Sequence, residues 1–233
     1  MPANNELSGG VDKGSGGGGS SAAALLPSLF PERTPMTPAQ LAAGVEAALA
    51  VQRRAVAFGK RPFAAVLLGP DNETVLLSHQ SVDQVNHAES SLARLAYCHY
   101  DKAFLWRCSL VSTWEPCGMC TATIYVRAVP DPSGSRDEAG RLERVVWQDA
   151  DLITETQQWA HIGRIVFAGS NDQLYELTGP GNTENFTMDW HTRDVLKGCP
   201  QKYIEVIGPL EAEGKIVVEE SDKYWSTTRR PSG

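Results

Sequence analysis

Apolar positions along the chain change their spacing several times, and each change marks an element. Leu41, Val45, Ala48, Leu49, Gln52 and Val56 recur at helical intervals, with only Gln52 polar. Thr37-Pro38-Ala39-Gln40 precedes them. Thr37 can cap, Pro38 suits the first helical position, and Gln40 completes a capping box. Gly59 predicts the end of that helix. Phe63 to Leu68 and Thr74 to Ser78 are apolar runs of strand length. The intervening Gly69-Pro70-Asp71-Asn72-Glu73 is short enough to make them an antiparallel hairpin. A second helix starts near His87, carries Leu92, Leu95 and Ala96, and runs to about Tyr100. Arg107 to Thr113 predicts a third strand, and Trp114-Glu115-Pro116 leads into a third helix from Cys117.

The pattern then breaks. Residues 126–158 are charged and have little strand character. It resumes at Gly163 to Ala168, a fourth strand, followed by a polar, loop-rich stretch from Gly169 to Gln201 with a short helix around Asp189 to Lys197. Tyr203 to Ile207 predicts a fifth strand, and Pro209 to Trp225 a last helix. The long connection between strands four and five permits a parallel crossover. The expected fold is α/β: a three-layer α/β/α sandwich on a mixed five-stranded sheet, its first two strands an antiparallel hairpin and its last two parallel. Residues 1–35 are Gly- and Ser-rich and predict a disordered tail, since such a segment buries too little to offset its ordering entropy. The domain is expected over 36–225, interrupted at 126–158, with a second tail at 226–233.

Composition narrows the function classes. The net charge of −7 opposes broad phosphate-backbone binding, which needs a basic face. No run approaches the roughly 18 apolar residues of a membrane helix. The N-terminus lacks the charged start and apolar core of a signal peptide. Five cysteines, an odd number, do not form a disulfide framework, and a cytoplasmic or nuclear setting fits them.

The chemistry gathers between residues 87 and 120. His87 and Glu89 stand two apart at a helix start, so one can face a metal while the other faces a substrate. Cys117 and Cys120 are three apart and share the first turn of the next helix, whose positive end favours thiolates. An imidazole and two thiolates suit tetrahedral zinc and leave a fourth position open, as a catalytic site requires. A lone C-x-x-C is also compatible with a structural zinc knuckle or a redox pair. A structural site needs a fourth protein ligand, and the nearest, Cys98, lies roughly 16 Å along a helix from His87. Cys98, Cys108 and Cys199 are expected as small buried hydrophobes. His79, His99, His161 and His191 are expected in loops or at the surface. Trp114 can line a pocket or pack in the core, and Phe186 and Trp190 are more often core aromatics than residues that close a pocket.

Together these residues resemble the cytidine deaminase superfamily, in its branch of guanine deaminases and tRNA adenosine deaminases. Arg61-Pro62-Phe63-Ala64-Ala65-Val66 is similar to that branch's P-F-G-A-V strand, and Asn86-His87-Ala88-Glu89 to its A-H-A-E. Thr113-Trp114-Glu115-Pro116-Cys117-Gly118-Met119-Cys120 resembles its S-x-E-P-C-x-M-C, and Gly163 to Ala168 resembles the strand that follows. The resemblance implies a Zn2+ cofactor on His87, Cys117 and Cys120, with Glu89 moving protons. It further implies that Ala88 offers its backbone N–H to a ring carbonyl and that Phe63 walls the base pocket, with Gln80, Trp114 and Glu115 as further substrate contacts. A homodimer is expected. Gln80 stands where the branch often has Asn, and the loop from there to His87 is short, so the base is left open.

Three readings of function follow. One is a zinc hydrolase acting on a free nucleobase or nucleoside, of guanine or cytosine type. The second is a tRNA adenosine deaminase or a subunit of one. The third is a non-catalytic zinc-binding scaffold, kept because of the interruption. Excising 126–158 joins Tyr125 to Trp159 and restores an unbroken helix-to-strand pattern. The stretch begins with Val and ends with Gln, whose codons match intron borders. A retained intron and a genuine surface insertion are the two explanations.

Overall fold

The structure is a computed structural model that describes residues 31–124, 160–180, 182, 185, 189–197 and 204–228. The expected tails over 1–30 and 229–233, the interrupting stretch 126–158, Phe186 and Cys199 lie outside the described residues.

Local chemistry sets the first helix, α1 (Pro38–Ala57). Thr37 Oγ1 accepts from the Gln40 N–H at 3.2 Å while Gln40 Oε1 accepts from the Thr37 N–H at 3.0 Å, which is the expected capping box. Gln52, the polar residue on the apolar face, donates through Nε2 to Ser221 Oγ at 3.3 Å. That bond ties α1 to the last helix, α7 (Glu211–Thr228).

The sheet follows from short apolar runs. Its strands are β1 (Ala64–Leu68), β2 (Val75–Gln80), β3 (Ser109–Trp114), β4 (Arg164–Gly169) and β5 (Glu205–Ile207), in the order β2-β1-β3-β4-β5. β1 is antiparallel to β2 and β3, and β3, β4 and β5 run parallel. The expected mixed five-stranded sheet, the hairpin and the parallel last pair are all present. Strand period two then divides the core. Ala64, Val66 and Leu68 face a layer with Val45, Leu49, Val217 and Trp225 of α1 and α7. Ala65 and Leu67 face a layer with Leu92 and Ala96 of α2 (Ala88–His99) and Ile124 of α4 (Gly118–Ile124). Helices on both faces explain why β1, β3 and β4 are buried throughout.

Arg164 begins β4 with its side chain only 1% exposed. Its Nε donates to Glu205 at 2.7 Å, one terminal nitrogen donates to Asn72 Oδ1 and Ser109 Oγ at 2.9 Å each, and the other donates to the Thr34 carbonyl at 2.9 Å. The charge is tolerated because its donors are met. The same bonds hold residue 34, inside the expected tail, against the starts of β3, β4 and β5.

Two helices were not expected: α3 (Lys102–Trp106), capped by Asp101 on the Phe104 N–H, and α5 (Asn171–Thr178). The short helix near 189–197 is α6 (Thr192–Lys197). His161 is buried against Trp106, with ring centroids 5.2 Å apart, and not at the surface. Cys98 is exposed on α2, not buried, whereas Cys108 is buried as expected.

Candidate active site

The loop from β2 to α2 delivers the first donor. Asp83 Oδ1 accepts from the N–H groups of Val85 and Asn86 at 2.8 and 2.7 Å, and Oδ2 accepts from Asn86 Nδ2 at 2.9 Å. These bonds, the Asn86 backbone bond foremost, hold the Asp83 carboxyl near 2. The short turn ends at His87, the N-cap of α2, whose backbone is extended and whose carbonyl accepts from the Ser91 N–H at 3.0 Å. His87 Nε2 lies 3.1 Å from the Gln84 carbonyl oxygen. A carbonyl only accepts, so Nε2 carries the proton and Nδ1 presents its lone pair.

That lone pair meets the two thiols. His87 Nδ1 is 3.6 Å from Cys117 Sγ and 3.6 Å from Cys120 Sγ, and the three donor atoms all lie within 4.8 Å of one another. Ordinary zinc bond lengths with tetrahedral angles give a sulfur-to-nitrogen edge of about 3.6 Å. The three residues therefore fit a zinc ion. Cys117 precedes α4 and Cys120 sits in its first turn, where the Thr121 N–H donates to the Cys117 carbonyl at 2.8 Å. The Cys117 thiol is pulled down by its hydrogen bond with Cys120 and then by His87. One thiolate thus forms readily in the cluster, and metal binding exploits that.

Glu89 completes the centre. It is 4% exposed, in the first turn of α2, and its Oε2 accepts from Cys120 Sγ at 3.4 Å. Burial pushes its carboxyl up to about 7, and the Cys117 thiolate adds to the rise. A cation beside it would oppose that rise.

His87, Glu89 and Cys117 line one cavity of about 540 Å3, counted to its open mouth. Phe63, Trp114 and Leu174 supply apolar wall, and Arg61, Ser81, Asn171 and Asn185 supply polar groups. Trp114 fits because residue 169 is glycine: a Cβ there would stand 2.7 Å from the indole ring. Of the expected substrate contacts, Phe63, Trp114 and Glu115 line the cavity. Ala88 is buried beneath the site, and Ser81 lines the cavity where its neighbour Gln80 does not. Trp190 is 62% exposed and is not among the lining residues. Asn171 and Leu174 carry no local signal that marks them as cavity residues. They follow β4, and parallel pairing places the ends of β3 and β4 on the same edge of the sheet.

The fold is an α/β domain in which His87, Cys117 and Cys120 could hold a metal ion. Residues 39–131 match the family described as "Cytidine and deoxycytidylate deaminase zinc-binding region". The match takes in His87, Glu89, Cys117 and Cys120. It is 33% identical over 121 residues to a tRNA(Ile)-lysidine synthase from Deinococcus deserti, covering 49% of this chain and 22% of that one. It is 23% identical over 185 residues to a probable cytosine deaminase from Schizosaccharomyces pombe, covering 78% and 90%. The chain therefore spans about a fifth of the first relative and most of the second. A solved guanine deaminase from Nitrosomonas europaea shares the fold at 18% identity, with a TM-score of 0.52 over 85% of this chain and 90% of that one. Among the described residues no helix is long and apolar enough to cross a membrane.

Proposed function

We propose that the protein is a zinc-dependent hydrolytic deaminase of a free nucleobase or nucleoside, of guanine or cytosine type. One observation carries the reading: the buried Glu89 carboxylate shares a cavity with His87 and Cys117, two of three donors spaced for zinc, and touches the third, Cys120. His87, Cys117 and Cys120 would hold the ion, which supplies Lewis-acid activation of water when bound. Glu89 takes a proton from the attacking water and returns it to the ring nitrogen. It then passes the second proton to the departing amine, so water and the aminated base give the oxo base and ammonia. A carboxyl pushed toward neutrality by burial both accepts and donates under ordinary conditions. Phe63 and Leu174 offer apolar surface to a flat ring.

Support for a small substrate comes from the cavity's few convergent polar groups beside apolar walls and from the net charge of −7. The relative named as a probable cytosine deaminase points the same way. A tRNA substrate is the second reading, favoured by the similarity to a lysidine synthase whose name includes tRNA. Ammonia release from guanine, guanosine, cytosine, cytidine and adenine, beside inosine formation in tRNA, tests both. Turnover of one of the first four supports the first reading. Activity on tRNA alone replaces it with the second, and zinc binding without activity on any substrate leaves a scaffold.

A further inference from the structure

We propose that Glu115 is a positioning residue that sets the cavity wall through Asn171 and takes no part in the chemistry. The proposal rests on the deaminase reading above. Glu115 directly precedes Pro116 and Cys117, and its side chain is only 2% exposed. Its Oε1 accepts from the Thr192 N–H at 2.9 Å. Its Oε2 accepts from the Asn171 N–H at 3.1 Å and lies 3.1 Å from His191 Nδ1.

One carboxylate thus joins three segments: the loop bearing Cys117, the start of α5 and the start of α6. The first N–H groups of a helix have no partner within it, so an acceptor placed there meets an unfilled need twice over. Further ties hold the loop in place. The Glu115 N–H donates to the Gly169 carbonyl at 2.8 Å, and the Pro116 carbonyl accepts from Thr121 Oγ1 at 3.1 Å and Thr192 Oγ1 at 3.0 Å. His191 Nε2 reaches Asp172 Oδ1 at 3.5 Å, which extends the clasp back to α5.

Glu115 borders the cavity, but both of its oxygens are committed to protein donors. What it controls is Asn171, which lines the cavity beside Leu174 from the same helix. Glu115→Gln keeps the size of the side chain and replaces one acceptor oxygen with an NH2 group. That group cannot accept, so at least one of the Asn171, Thr192 and His191 bonds is lost.

The test is a double-mutant cycle on the zinc-loaded full chain. Glu115→Gln should keep its zinc and hold kcat within about threefold, while KM rises about tenfold or more. Asn171→Ala should also raise KM, and the double variant should be no worse than the worse single variant, because the two residues act through one wall. A fall in kcat at unchanged KM would give Glu115 a chemical role. Fully additive effects on KM would break its link to Asn171. Either result overturns the proposal. Amide hydrogen exchange supplies a readout independent of turnover. At least one of the Asn171 and Thr192 amides should exchange about tenfold faster or more in Glu115→Gln while the β1 amides stay as slow as in the parent. If the parent deaminates nothing, the deaminase reading fails and the clasp stands or falls on these amides. Should Glu115→Gln not fold, His191→Ala removes one arm from a half-exposed position and should speed Asn171 exchange in the same direction. Unchanged exchange there overturns the clasp.

Discussion

The Glu89 carboxylate lies 3.4 Å from the Cys120 thiol, yet it stands outside the group whose donor atoms close on one point. A neighbour within contact of a ligand, and not a ligand itself, is placed to move protons without holding the ion. Metal retention and turnover can therefore be separated by mutation.

Removing a donor should remove the metal. His87→Ala leaves two thiols, and Cys120→Ser replaces a soft ligand with a poor one. Each variant should contain less than about a tenth of the parent's zinc after dialysis, since a second-neighbour change alone costs 10- to 100-fold in affinity. Elemental analysis of purified protein checks this. Full zinc in His87→Ala would place the ion elsewhere.

Arg164 should matter to stability far from the chemistry. Arg164→Met takes its donors from Asn72 Oδ1, Ser109 Oγ and the Thr34 carbonyl in a buried place, leaving Asn72 Oδ1 only the Ser109 hydroxyl and the Thr34 carbonyl only Asn72 Nδ2. The half-exposed Glu205 can turn to water, so the loss should be about 2–4 kcal/mol. Urea unfolding of the zinc-loaded protein measures it, with zinc content unchanged. A loss under about 0.5 kcal/mol would mean that the network contributes nothing net.

The His191 clasp should weaken as pH rises. The Glu115 hydrogen bond, followed by the charges of Glu115, Asp172 and Asp194, raises the imidazole's pKa above its ordinary value. A raised folded-state value stabilises fully below the unfolded value of about 6.5 and loses that contribution as pH climbs through the folded value. The stability gap between the parent and His191→Gln should be widest below about pH 6.5 and narrower at about pH 8.5. Unfolding of both proteins across that range checks the sign, and a gap that widens with pH contradicts it.

Much of the centre was legible because metal chemistry forces short, fixed spacings. His87, Glu89, Cys117 and Cys120 could be read from the chain, and so could the sheet, since β1 and most of β4 are apolar runs of strand length and β3 is rich in β-branched and aromatic residues. Phe63, Trp114 and Glu115 were legible as cavity wall, but the rest of the wall was not. Ser81, Asn171 and Leu174 meet only after β1, β3 and β4 pair, and no sequence period records that. α5 carried a local signal that went unread: Ser170 and Gln173 form a capping box like that of Thr37 and Gln40. His161 lies in a loop, as expected, and its burial depends on a neighbour, Trp106, brought in by tertiary packing.

The interruption at 126–158 should be removable. The Ala160 N–H donates to the Thr123 carbonyl at 3.2 Å. Joining Tyr125 to Trp159 would make that bond the next i-to-i−4 bond of α4, so the excised chain keeps helical register across the junction. The deletion protein should retain zinc and melt at or above the parent's temperature, because a shorter loop costs less entropy to close. Calorimetry and metal analysis check it, and transcript sequencing decides between an intron and an insertion. Loss of metal or of cooperative unfolding in the deletion would make the stretch an integral part of the fold.

The most direct test of the central claim compares the parent with Glu89→Gln, measuring zinc and ammonia release on the same preparations. Gln keeps the size of the side chain and its contact with Cys120 but cannot carry a proton between water and base. The expected result is parent-level zinc and a melting temperature near the parent's, with deamination of the preferred base down by about 10²-fold or more. Turnover within a few-fold of the parent would contradict the account, as would zinc loss equal to that of Cys120→Ser.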